Sequence, residues 1–186
     1  MIDKQYLIDT LNKPIGLNIL NNLIKEIESE RDIELIYSLS KSENKKVEFH
    51  CAWLLEKLCT KDPWFSVHFL SDLLNDFNKI SNHSALREFS KIIAMLLNNK
   101  AKLPKEISEI IDNSNKEKII ETCFNHIINK KTPISLNIWL VDILLYYSQE
   151  EDWIKEELNY FAQSLQIQSS PAKLQCIKRI KKGLTL

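Results

Sequence analysis

The chain has 186 residues, of which 44% are apolar and 27% charged, with 25 Lys plus Arg against 25 Asp plus Glu. That is the composition of one ordinary globular domain, long enough to build a core without disulfides. Only Gly16 and Gly183 are glycine, which excludes a phosphate loop, a dinucleotide-binding turn and a nucleophile elbow, each of which needs several glycines at fixed offsets.

Apolar residues recur at helical spacing along almost the whole chain. The pattern predicts helices over 3–11, 17–30, 32–41, 44–60, 63–79, 83–98, 105–112, 115–130, 133–149, 151–167 and 171–182, and no segment alternates as a strand would. Val47, Cys51, Leu54, Leu55 and Leu58 form one stripe; Val67, Leu70, Leu73, Leu74 and Phe77 form the next; Leu86, Phe89, Ile93, Leu96 and Leu97 repeat it. Ile119, Ile120, Cys123, Phe124, Ile127 and Ile128 do the same. From Ile134 to Ser148, 11 of 15 residues are apolar, so this helix is apolar around most of its circumference and is expected at the centre of the fold. Asp62-Pro63, Thr132-Pro133 and Ser170-Pro171 each place a capping side chain before a proline suited to the first helical position. Ser114 and Glu117 have the spacing of a capping box, and Asn82 is a further expected cap.

The charges are balanced overall but not locally. Glu150, Glu151, Asp152, Glu156 and Glu157 surround a single Lys155, while Lys173, Lys178, Arg179, Lys181 and Lys182 have no acid among them. Both runs suit the helix dipole at the start and end of a solvated helix. A net charge of +0 argues against nucleic acid or an anionic membrane held by bulk electrostatics. No apolar run approaches the about 20 residues of a membrane span, and the start MIDKQYLIDTLNK lacks the basic-then-apolar pattern of a secretory signal. Cys51, Cys59, Cys123 and Cys176 lie on apolar faces and read as reduced, buried thiols of a cytoplasmic protein.

Helices that follow a turn begin near 44, 83, 133 and 171, the middle interval being the longest. Helix pairs recurring at about 40–47 residues mark stacked α-helical repeats; the irregular middle interval leaves a plain helical bundle as the alternative. The run Phe49-His50-Cys51-Ala52-Trp53-Leu54-Leu55-Glu56-Lys57 resembles a characteristic helix of a small HEAT-like helical-repeat family. Asp62-Pro63, Asn82-His83-Ser84-Ala85-Leu86-Arg87-Glu88, Thr132-Pro133-Ile134 and the basic close Lys178-Arg179-Ile180-Lys181-Lys182 resemble its later elements, over residues 45–184. Near Phe49 and His50 this chain departs from the arginine that family members usually carry. Many members bear the label adenylosuccinate lyase, which does not fit: that enzyme is far longer, and its glycine- and serine-rich catalytic loop has no counterpart here. The resemblance implies an all-α, right-handed α-α superhelix of stacked antiparallel helix pairs with no settled activity. It is expected as one domain over 1–186, with 1–42 as N-terminal capping helices and 43–186 as the helix pairs.

Candidate chemistry is sparse. Cys123 and His126 stand at i and i+3, yet a zinc site needs three or four ligands; His50, Cys51 and Cys59 complete no such set by spacing. Ser84 beside His83 does not make a nucleophile and base, because neighbours in a helix do not face each other. Asp72 and Asp76 share a helix face, and the tryptophans Trp53, Trp64, Trp139 and Trp153 read as core anchors. No catalytic residue, metal or cofactor is expected. The function expected is a non-enzymatic scaffold that holds a protein or peptide partner, with Asp72, Asp76, Glu121, Asn125, Asn159 and Gln163 as the partner-facing polar residues. The alternative is a nucleic-acid-binding protein that uses Lys173, Lys178, Arg179, Lys181 and Lys182.

Overall fold

The computed structural model describes residues 2–27, 29–166 and 170–185. Among the described residues eleven α-helices follow in order: α1 Lys4–Leu11, α2 Leu17–Glu26, α3 Glu30–Leu39, α4 Lys45–Lys61, α5 Leu70–Asp76, α6 His83–Asn98, α7 Lys105–Asp112, α8 Lys116–Ile127, α9 Ile134–Tyr147, α10 Asp152–Gln166 and α11 Pro171–Leu184. Short 3₁₀ turns, Pro63–His68, Phe77–Lys79 and Lys100–Lys102, join some of them, and the described residues contain no strand.

The helix starts follow side-chain capping. Asp3, Asn44, Asn82 and Asn115 accept backbone N–H bonds from the first turns of α1, α4, α6 and α8. Ser29 and Asp32 form a reciprocal capping box on α3, so α3 starts at Glu30 rather than at 32. Ile27 is extended, which ends α2 earlier than 30. Asp62 caps the 3₁₀ turn at Trp64, and Ser170 caps α11 at Lys173, each ahead of its proline. Two expected caps are corrected. Pro133 itself stands at the cap position of α9, its carbonyl accepting from Leu136 and Asn137; the buried Thr132 hydroxyl makes no hydrogen bond among the described residues. Asn115, not Ser114, caps α8, while the Ser114 hydroxyl donates to the Ile111 carbonyl at the end of α7. The helix expected over 63–79 is interrupted at Phe69, which leaves helical angles and stacks its buried ring on Tyr37 at 5.2 Å. Expected helix positions 28 and 167 lie outside the described residues.

The helices form two layers. In one, α6 packs along both α4 and α9, and α9 along α11. The other holds α3 against α4, α8 against α9 and α10 against α11, with α5 and α7 between them. The long middle interval of the repeat holds the additional helix α7. Burial follows the stripes: Cys51, Leu54, Leu55 and Leu58 of α4, and Leu86, Phe89, Ile93 and Leu97 of α6, are buried. α9 is central, as its composition requires. It touches α6, α8, α10 and α11, and Leu140, Val141, Ile143 and Leu144 have no exposed surface; each such side chain contributes about 1.5–3 kcal/mol by leaving water. At Gly183 α11 comes close to α9, where a Cβ would lie 2.6 Å from Cδ1 at the tip of the half-buried Leu145 side chain. No helix among the described residues is long and apolar enough to cross a membrane.

Candidate functional site

All six residues expected to face a partner lie on the second layer, on α5, α8 and α10. Asp72 is exposed at the start of α5. Asp76 closes that helix, and the ammonium groups of Lys79 at 2.7 Å and Lys41 at 3.1 Å hold its carboxyl below the usual range. It is therefore an ion-pair anchor between the end of α5 and the turn that follows α3 rather than half of an acid–base pair. Asn159 and Gln163 are exposed on α10.

Glu121 and Asn125 are the two that the fold brings into a shaped site. They line an open groove of about 500 Å³ between α8 and the start of α10. On α8, Glu117, Ile120, Glu121, Phe124, Asn125 and Ile128 succeed one another at steps of three, one, three, one and three, so one helix face presents them all. On α10, Trp153 and Glu157 face them, with Glu151 and Lys116 at the mouth. The Phe124 and Trp153 rings meet at 5.4 Å and 31°. Ile128 remains 68% exposed and Trp153 48% exposed, a large uncovered area for residues of this type. The Lys116 ammonium is held by Glu151 at 3.0 Å and Glu150 at 3.5 Å, pairs that raise its pKa. Glu117, Glu121 and Glu157 have no ion-pair partner among the described residues. The stripe of Trp153 and Glu157 runs on to Tyr160, 65% exposed.

The apolar members of this groove are the ones the sequence misplaces. Phe124 and Ile128 belong to a six-residue stripe on α8 too wide for one buried face, and the excess width is the signal. Trp153, beside the acidic run 150–152, faces solvent, as does Trp64; this corrects the reading of these two tryptophans as core anchors. Trp53 is half-buried and stacked on Phe49 at 6.0 Å. Trp139 is half-buried under the Arg179 guanidinium at 5.0 Å and the Lys91 ammonium at 5.8 Å.

The reactive side chains elsewhere are not brought together. Burial raises the Cys123 thiol pKa, whereas His126 lies edge-on to His83 at 5.8 Å. Burial first, then the neighbouring His83, lowers the pKa of His126. Ser84 is exposed while the His83 ring is turned to His126. His50 Nδ1 lies 2.6 Å from the Leu11 carbonyl oxygen, joining α4 to α1. Among the described residues no group of three His, Cys, Asp or Glu side chains is placed to hold a metal ion.

A family model described as HEAT repeat domain matches residues 7–184. The chain belongs to the HEAT repeat family. No curated protein and no solved structure matches it. In this HEAT repeat protein the zero net charge conceals a segregation by layer. Helices α4, α6, α9 and α11 carry eleven Lys and Arg against four acids, whereas α3, α5, α7, α8 and α10 carry five against thirteen. The groove thus opens on the acidic layer. On the basic layer, the cations nearest Trp139 already have carboxylate partners. Glu88, 1% exposed, takes Arg87 at 2.7 Å and Lys91 at 2.6 Å, and Asp142 takes Arg179 Nε at 2.7 Å. Lys173, Lys178, Lys181 and Lys182 of the basic C-terminal helix have no ion-pair partner among the described residues; Arg179 is committed to α9.

Proposed function

We propose that this HEAT repeat domain is a non-enzymatic scaffold that holds a protein or peptide partner. The observation that carries the reading is the convergence of Phe124, Ile128 and Trp153 in one open groove between α8 and α10. Uncovered aromatic and aliphatic surface rimmed by charge is the anatomy of a protein interface, with an apolar centre and a polar rim. Asp72, Asp76, Asn159 and Gln163 extend the polar surface of the same layer beyond the groove. The buried, unpaired cysteines support a cytoplasmic setting, where thiols stay reduced. The test is affinity capture from native lysate followed by cross-linking and reconstitution with purified components. A saturable complex of fixed stoichiometry is expected. Turnover of a small substrate with no reconstitutable complex would replace this reading with an enzymatic one.

A second reading is favoured by the four free lysines of α11 and the cation excess of its layer. It assigns Lys173, Lys178, Lys181 and Lys182, with Arg179, to nucleic acid. The prior engagement of Arg87, Lys91 and Arg179 by buried carboxylates weighs against it, because phosphate would have to displace those pairs.

A further inference from the structure

The structure assigns the α8–α10 groove to a basic amphipathic helix of a partner protein, whose apolar stripe seats on Phe124, Ile128 and Trp153 and whose lysines or arginines pair with Glu117, Glu121 and Glu157. This assignment rests on the scaffold reading above and specifies its partner chemistry.

Three observations support that occupant. The first is charge. Among the described residues the only cation lining the groove, Lys116, is already held by Glu150 and Glu151, and Glu117, Glu121 and Glu157 on the two rims have no ion-pair partner. A phosphate backbone or an acidic peptide would be repelled there, while a basic segment is attracted and steered. The second is hydrogen bonding. The groove-lining residues of α8 lie within that helix or, for Ile128, at its cap, Trp153 and Glu157 lie in the first two turns of α10 with Glu151 just before it, and among the described residues Asn125 is the only lining side-chain amide. An extended segment would find no row of backbone partners and would leave its own N–H and C=O groups unmatched; a helix brings its hydrogen bonds with it. The third is shape. The lining of α8 runs from Lys116 to Ile128, a little over three turns or about 18 Å. That length accepts apolar anchors at i, i+3 or i+4, and i+7 of a docked helix.

The experiment is a fluorescence-anisotropy titration of the full chain with a labelled leucine–lysine amphipathic peptide of about fifteen residues, long enough to form a helix on binding. Parallel arms use the peptide with every lysine changed to glutamate, the same residues in an order that breaks the apolar stripe, and a single-stranded DNA oligonucleotide. Saturable one-to-one binding of the leucine–lysine peptide is expected, weakening as salt rises from about 0.05 to about 0.5 M. Trp153→Ala is expected to weaken it by about tenfold or more, as removal of a central aromatic anchor does; Glu121→Lys with Glu157→Lys is expected to weaken it at least as much. These side chains are exposed, and circular dichroism verifies that each variant keeps its helix content. The assignment is overturned if the leucine–lysine peptide does not bind, if the glutamate or reordered peptide binds as well, or if the groove variants bind it unchanged. DNA binding that the groove variants leave intact, with no peptide binding, likewise overturns it. Repeating the lysate capture with the groove variants separates the two levels. A partner retained by both wild type and variants ends the groove assignment and leaves the scaffold standing. Absence of any partner and of any peptide binding ends both.

Discussion

Arg179→Met isolates the contact that ties α11 to α9. Arg179 Nε lies 2.7 Å from Asp142 Oδ1, and the Asp142 side chain is only 9% exposed. Burial pushes the Asp142 carboxyl up from 3.8 to about 6, against the opposing pull of Arg179. At about 1.36 kcal/mol per pH unit, the ionised carboxylate at neutral pH already costs roughly 3 kcal/mol relative to its protonated form. Two unit charges about 4 Å apart attract by about 4 kcal/mol at an effective dielectric of 20. Because the Arg179 side chain is 36% exposed, solvent screening roughly halves this, so the substitution should cost about 2 kcal/mol near pH 8. In a chain of this size that is a fall of about 4–8 °C in Tm. The pH dependence has a definite sign. A carboxyl whose folded pKa is raised binds its proton more tightly in the folded state, so its penalty is absent below about pH 4, grows between about pH 4 and 6 and is constant above that. Without Arg179 the folded pKa rises further and the growth extends to higher pH. The loss in Arg179→Met should therefore shrink at about pH 5. Asp142→Asn resembles the protonated carboxyl and should be neutral to stabilising at pH 8, since it removes the buried charge while Arg179, 36% exposed, keeps water and the Trp139 ring. Differences from the parent at each pH largely cancel the four histidines. Urea unfolding followed by circular dichroism at the two pH values measures all of this. Equal losses in Arg179→Met at both pH values, or an equal loss in Asp142→Asn at pH 8, would refute the reasoning.

Leu140→Ala, at a fully buried site on α9, should cost about 3 kcal/mol in urea unfolding, and Trp139→Ala about half as much because that ring is only partly covered; the reverse order would mean that α9 is rotated from the orientation described. The four buried thiols, with Cys176 pushed up to about 12, should resist a water-soluble disulfide reagent in the native state and react together on denaturation; rapid labelling of the native protein would contradict their burial. Duplex DNA should bind only weakly. With Arg179 engaged, the four lysines of α11 give a salt slope of log affinity no steeper than about −3.6. Submicromolar binding at physiological salt, abolished by Lys178→Ala with Lys181→Ala and Lys182→Ala, would make the nucleic-acid reading the better one.

Helix positions were legible because each stripe of buried residues repeats at helical spacing and most starts carry a side-chain cap. α9 announced its central place by lacking a polar face. What the sequence hid arises from contacts between helices. The Thr132 and Ser114 positions have the right residue types for caps, but the backbone turns one residue later in each case. Trp153 and Trp64 have the character of core residues, and only the packing of neighbouring helices decides which aromatic rings find cover. Glu88, Asp142 and Asp32 look like surface acids until folding buries them beside Arg87, Lys91, Arg179 and the Ile2 amide. The candidate site was half legible. Glu121 and Asn125 could be placed on the groove-bearing helix from their spacing, but its apolar floor depends on how α10 leaves α9, and no periodicity encodes that.

The all-round apolar surface of α9 also bears on how the molecule comes apart. In many repeat arrays each unit has its own amphipathic pair, and terminal units can fray while the rest persists. Here α6, α8, α10 and α11 all lean on one helix that is apolar around most of its circumference. Peeling away α10 and α11 would expose Leu140, Val141, Ile143 and Leu144 toward solvent on the sides they cover, and removing α8 would do the same from the other side. The helices that share α9, α6 among them, are therefore expected to lose their order together rather than to fray one by one.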